Sequence, residues 1–263
     1  MRLGEVTSPS GIVVIVDTGC IPLWQQNAPP PAELESTVKA QSGAACVTYA
    51  GSATAVVVTG VPSGVPLPVY GVPLPSDPYG EYWASVYLEI RAGIPVQRSE
   101  EAGMVGVDYA RLTFADLYSL RAWEHDASLD GKADIAFWAG DAEAVARELG
   151  AMQWGDEFGW RDLPRDQAEA LFVALERVQL ERGWRMAMDF RPHSHHHAIL
   201  EQMRTTETQS GTLDVGRARL CAFFSLWGDG FYPVLRDVDA EGELVRIRVD
   251  LAGEDENAAP NGR

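Results

Sequence analysis

The chain has 263 residues, 46% hydrophobic and 22% charged, which is enough to bury a substantial core and too apolar for a disordered chain. Its formal charge of −17 argues against nucleic acid and anionic membranes as partners, and leaves metal ions and basic proteins. No basic segment followed by an apolar one opens it, and its apolar runs fall short of the roughly eighteen residues of a membrane span, so a cytoplasmic protein is expected.

In chain order, residues 11–17 (GIVVIVD) read as a strand, and the prolines at 29–31 as a stiff surface connection. From Ala40 to Ser76 there is no Asp, Glu, Lys or Arg. Within that stretch 46–49 and 54–59 are short strands rich in β-branched residues, and 85–91 adds another. The first 95 residues therefore read as all-β, part of a sandwich-like frame. Cys20, Cys46 and Cys221 are too few and too widely spaced for a disulfide framework or a zinc knuckle, and are expected to be reduced.

Helical signals follow. Thr113 with Asp116 three residues later resembles a capping arrangement, and Phe114, Leu117, Leu120 and Trp123 recur at helical spacing. Asp141 opens a second helix, with Val145 and Leu149 on one face and Gly150 as its stop. Pro164 opens a third, with Ala168, Leu171, Leu175 and Val178 as its apolar stripe and Gly183 as its end. Strands return at 220–227, 231–235 and 244–251, predicting a three-stranded antiparallel meander. The expected fold is one α+β unit over 1–252. It has a β-rich sandwich-like frame (1–95), a mixed helical part (96–210) contributing a lateral layer of about three helices, and a C-terminal antiparallel meander (211–252). A mobile tail, 253–263, follows.

Four segments carry a resemblance. They are the Pro9-Ser10-Gly11 turn with its strand to Asp17, residues 64–69 (GVPLPV), residues 105–108 (VGVD), and Trp227-Gly228-Asp229-Gly230 followed by Phe231-Tyr232-Pro233-Val234. Together they resemble a bacterial family known only as a domain of unknown function, which closes on a WGDG-x-YPV hairpin; Thr18 stands where that family has proline. The resemblance implies a full-length β-rich homologue and carries no activity.

The spacing with most chemistry in it is Asp126, Ser128, Asp130 and Asp134 around Gly131, with oxygens at positions 1, 3, 5 and 9 of a loop bent at position 6. It resembles the calcium loop of integrin-type β-propeller repeats and predicts a calcium-like cation. There is one copy, and Phe137 stands where an EF-hand has its glutamate. The bland alternative is an acidic turn whose aspartates cap backbone N–H groups.

A histidine cluster, His193, His195, His196 and His197, comes next. Were a helix to start at Pro192, His193 and His197 would share a face with zinc-binding spacing and Asp189 as third ligand; a start near Ser194 breaks that pair. His125 stands alone in sequence. Asp17-Thr18-Gly19 resembles the active-site turn of pepsin-type proteases, but that chemistry needs a second aspartate motif, which the chain lacks. Asp229 lies in a glycine turn and, with Tyr232, either closes that turn or faces a pocket.

No phosphate loop, dinucleotide fingerprint, nucleophile elbow or H-E-x-x-H motif is present. The reading that follows is a noncatalytic binding protein with a basic protein partner, of the kind that blocks a basic nuclease in toxin-immunity or defence systems. The alternative is a metal-assisted hydrolase using the 126–134 loop or the histidine cluster.

Overall fold

The computed structural model describes residues 1–75 and 82–252; the 253–263 tail, expected to be mobile, lies outside the described residues. In chain order the elements are β1 (Arg2–Val6), β2 (Ile12–Asp17), α1 (Ile21–Asn27), α2 (Pro31–Ala40), β3 (Ala44–Ala50), β4 (Ala53–Thr59), β5 (Leu67–Pro73), β6 (Trp83–Glu89), β7 (Arg98–Val107) and β8 (Arg111–Asp116). Then come β9 (Lys132–Trp138), α3 (Ala142–Leu149), β10 (Met152–Trp154), β11 (Glu157–Pro164), α4 (Arg165–Arg182), β12 (Ala187–Pro192) and α5 (His195–Thr205). The last four are β13 (Ser210–Val215), β14 (Ala218–Phe224), β15 (Gly230–Val238) and β16 (Leu244–Asp250). The protein is α+β and strand-rich, with three antiparallel sheets and five α-helices among the described residues. It divides into two compact units, Glu124–Ala198 being inserted between Met1–Trp123 and Ile199–Arg263.

The first unit holds two six-stranded sheets, β1-β5-β6-β16-β15-β7 and β13-β14-β8-β2-β4-β3. Alternate residues of both enter one common core, among them Val69, Leu88 and Ile247 from one sheet and Ile15, Val56 and Phe114 from the other. The second sheet is covered on its other face as well. There Val14, Val16 and Val57 meet Trp24 of α1, Leu34 and Val38 of α2, and Ile199 and Met203 of α5. This explains the unbroken apolar run of β2 and the lack of charge around β4, since neither side of these strands reaches water. At the edges, Ser210 Oγ donates to Leu3 O at 2.8 Å and Thr54 Oγ1 to Met104 O at 2.8 Å, satisfying part of the edge-strand backbone.

Four expectations are corrected here. The 1–95 stretch is not all-β, because α1 and α2 interrupt it. Pro31 is the first residue of α2 rather than part of a connection, with Glu33 in the first turn, Lys39 in the last, and Leu34 and Val38 buried four apart. The helix expected over 113–123 is instead β8, followed by a short 3₁₀ turn at Ser119–Ala122. Thr113 is paired with Val16 across the sheet, and the capping acid, Asp116, starts the 3₁₀ turn by accepting from Tyr118 N and Ser119 N. The terminal meander is only a β15–β16 hairpin, since β14 pairs with β13 and β8 in the other sheet.

Gly228-Asp229-Gly230 is therefore a corner where the chain changes sheets. The β7–β8 connection changes sheets beside it: Ser225 N donates to Ala110 O at 2.9 Å, and Ala110 N to Asp229 Oδ1 at 3.1 Å. Tyr232 donates its hydroxyl to Gly228 O, so Asp229 and Tyr232 both close this corner.

The second unit is a four-stranded sheet, β10-β11-β9-β12. On one face, Phe137 packs with Val145 and Ala146 of α3, while Ala133 and Ile135 pack with Ala168 and Leu175 of α4. Both helices lie where their signals predict, ending at Gly150 and Gly183, each left-handed with φ 67°.

Candidate functional site

The opposite face of the second unit's sheet carries its charge. Alternation along β9 and β12 puts Asp134, Ala136 and Trp138 on that face, in register with Arg191, Asp189 and Ala187. Arg191 reaches Glu157 of β11 with both terminal nitrogens, each at 2.7 Å, and its Nε donates to Asp189 at 2.9 Å. Those carboxylates outweigh the cost of burial and hold the guanidinium above its ordinary pKa; the Glu157 hydrogen bonds are the largest contribution. The pairing crosses a floor of small residues: Ala136 is fully buried, and a Cβ at Gly159 would stand 1.8 Å from Ile135 O. Arg161 lies over the Trp154 ring at 4.7 Å and Arg191 over Trp138 at 5.7 Å.

The predicted calcium loop ends on this face. Gly131 has the expected left-handed backbone, φ 77°, and Asp130 Oδ1 accepts from Lys132 N at 2.9 Å as an aspartate turn does. Ser128 turns its hydroxyl to Lys132 O at 2.7 Å. Backbone bonds Leu129 N to His193 O and His193 N to Lys132 O stitch the loop to the end of β12. His193 is thereby laid between two carboxylates, with Nδ1 2.9 Å from Asp130 Oδ2 and Nε2 3.0 Å from Asp134 Oδ1. An ionised carboxylate only accepts, so both contacts are hydrogen bonds only when both ring nitrogens carry protons. Partial burial disfavours that charge, but the bonds to Asp134 and Asp130 outweigh it and raise the His193 pKa. In return the His193 hydrogen bond lowers the Asp130 carboxyl to about 2.

Two features that the sequence presents as separate candidates are thus one cluster, in which the His193 ring lies between Asp130 and Asp134. Asp126 is exposed and joins no hydrogen bond or ion pair among the described residues. Among those residues no group of three or more His, Cys, Asp or Glu has metal-holding geometry. A cation held by Asp130 and Asp134 would compete with the proton on His193.

His193 lies outside the helix that carries His197, because α5 begins at His195. Ser194 precedes it, its hydroxyl accepting from His197 N at 3.3 Å and its carbonyl from Ala198 N at 3.0 Å. Asp189 faces Arg191 instead. All five histidines lie in this unit. The His125 and His196 rings lie with centroids 4.0 Å apart, tilted by 38°, and His195 Nδ1 accepts from Glu124 N at 2.9 Å; burial lowers the His195 pKa.

Asp17 is fully buried in the first unit, accepting from Asp108 N at 2.6 Å, Tyr109 N at 2.8 Å and Gly19 N at 2.8 Å. Burial outweighs those bonds and raises its pKa. It pins the sheet-changing connection after β7, and Thr18 meets the Thr113 hydroxyl at 2.8 Å rather than a second aspartate. A cleft of about 120 Å³ lies between Trp24, the 29–31 prolines and Arg121, well below the size of a small-molecule pocket. The Arg191–Glu157 pairing is the element that sequence reasoning missed. Its signal was the alternation Asp189, Arg191, His193, which puts all three on one side of a strand.

Comparison of the chain with protein-family models, with curated proteins and with solved structures found no match.

Proposed function

We propose that the protein is a noncatalytic binding protein that recognises a basic protein partner through its acidic surface. What supports this reading most is where the cations are spent. Arg91, Arg191, Arg219, Arg236, Arg246 and Arg248 are each paired with carboxylates of the chain itself, within a chain whose net charge is −17. An acidic surface raises the rate of encounter with a basic partner and repels nucleic acid and anionic membrane. Among the described residues no helix is long and apolar enough to cross a membrane, and a cytoplasmic setting is part of the proposal. Blocking a basic nuclease, as in toxin-immunity or defence systems, is the form of binding this charge fits best. The proposal includes kinship with the bacterial family that closes on WGDG-x-YPV, and a sandwich arrangement of the two six-stranded sheets, for which their shared core is the support.

A second reading, metal-assisted hydrolysis, draws on the convergence of Asp130, Asp134 and His193. Stopped-flow association with a basic ribonuclease and with an acidic protein of equal size separates the two. Binding to the basic protein alone, with an on-rate that falls as salt rises, is expected. Binding to neither, together with hydrolysis that appears only on adding a divalent metal, would favour the second.

A further inference from the structure

We infer that the outer face of α4 is a docking surface for a basic amphipathic helix of a partner protein; this rests on the reading of the chain as a binder of basic proteins. The helix has two apolar lines where a surface helix has one. Ala168 and Leu175 enter the core of the second unit, as the sequence pattern requires. On the opposite side Ala170, Val173 and Leu180 point outward, with Val173 58% and Leu180 84% exposed. Among the described residues nothing covers this leucine.

Spacing and charge together say what covers it. Val173 and Leu180 are seven residues apart, two helical turns, and so lie along one line of the helix surface. Glu169 and Glu176 are also seven apart and run beside them, both exposed and without an ion pair among the described residues. Arg177 is the cation on this face that a partner must also accommodate. An apolar line bordered by an acidic line matches a helix bearing leucines at heptad spacing with Lys or Arg beside them, the usual helix-in-groove form of recognition. A second copy of this chain fits worse, because the Glu169 and Glu176 line would meet its own like charges.

The test is fluorescence anisotropy of two labelled eighteen-residue helical peptides titrated with the full chain. Both carry leucines at heptad spacing, flanked by lysines in one and by glutamates in the other. The lysine peptide binds, the glutamate peptide does not, and Val173→Asp or Leu180→Asp weakens binding at least tenfold while the circular dichroism melt is unchanged. Glu169→Lys with Glu176→Lys reverses the preference. Lysine-peptide binding that survives both aspartate substitutions would overturn the α4 assignment and leave the acidic-binder reading standing. No binding of the lysine peptide to the parent chain would overturn both. A chain that sediments as a dimer and becomes monomeric on Leu180→Asp would assign this face to self-association instead.

Discussion

Two corner carboxylates of the first unit and the sheet-face carboxylates of the second are held in opposite ways, although the first unit also pairs its buried Asp237 with Arg246 and Arg248. In the first, Asp17 and Asp116 are buried and their partners are backbone N–H groups and the hydroxyls of Ser8 and Ser10, donors that do not titrate in the physiological range. Burial acts against the Asp116 charge, yet hydrogen bonds led by those from Ser10 hold its pKa below the ordinary value. In the second unit, Glu157, Asp189, Asp130 and Asp134 lie at a partly open sheet face and are met by Arg191 and His193. The lesson is one of division. Neutral donors pin corners whose shape must not depend on conditions, while charged donors leave a surface whose electrostatics respond to salt and pH.

The sharpest way to break this contrast is at a corner. Asp17→Ala leaves three backbone N–H groups without their acceptor, and we expect a loss on the order of 3–5 kcal/mol in urea unfolding. Asp17→Asn keeps one acceptor oxygen and should cost less. Equal stabilities for all three chains would mean that the connection after β7 is not pinned by this side chain.

A middle-sized effect comes from the floor beneath Arg191. Gly159→Ala puts a methyl against Ile135 O at a left-handed φ of 150°, so the β9–β11 pairing must shift. We expect about 2–3 kcal/mol of destabilisation. Hydrogen exchange should report faster opening of amides in β9 and β11 and unchanged protection in β2 and β8. Loss of protection everywhere would remove the distinction between the units.

The smallest effect carries the pH dependence. His193 has a raised pKa in the folded chain, so its contribution is complete below the ordinary histidine value near 6.5 and is lost as pH rises through the folded value. His193→Gln should therefore cost about 1 kcal/mol or less at pH 5.5, and nothing measurable once the parent ring is neutral. A difference that grows with pH would have the wrong sign for this arrangement.

Much of the frame is legible in the residues. The β-branched runs at β2, β3 and β4 and the glycine stops of α3 and α4 are local signals that tertiary context leaves in force. The α2 signal was local too, but three successive prolines read as a connection when the last of them opens a helix. At β8 the period misled: Phe114, Leu117, Leu120 and Trp123 are helically spaced, yet they are buried because the sheet there has two covered faces. The site was half legible. Loop spacing marked Asp130 and Asp134 as converging oxygens, but the group they converge on comes from 59 residues later for Asp134 and 63 for Asp130, delivered by the β9–β12 register. No short-range pattern carries that information.

His193 lies between Asp130 and Asp134, where the 126–134 loop resembles a metal site, and these contacts favour its protonated form. Nitrogen NMR of the ¹⁵N-histidine-labelled chain, free of divalent ions, tests it most directly. Both ring nitrogens of His193 should show protonated shifts at low pH and titrate with a midpoint above the ordinary histidine value, and adding calcium below that midpoint should leave them in place. A midpoint at or below the ordinary histidine value, or calcium binding that releases the His193 proton and raises the melting temperature, would contradict this arrangement and return the loop to the metal reading.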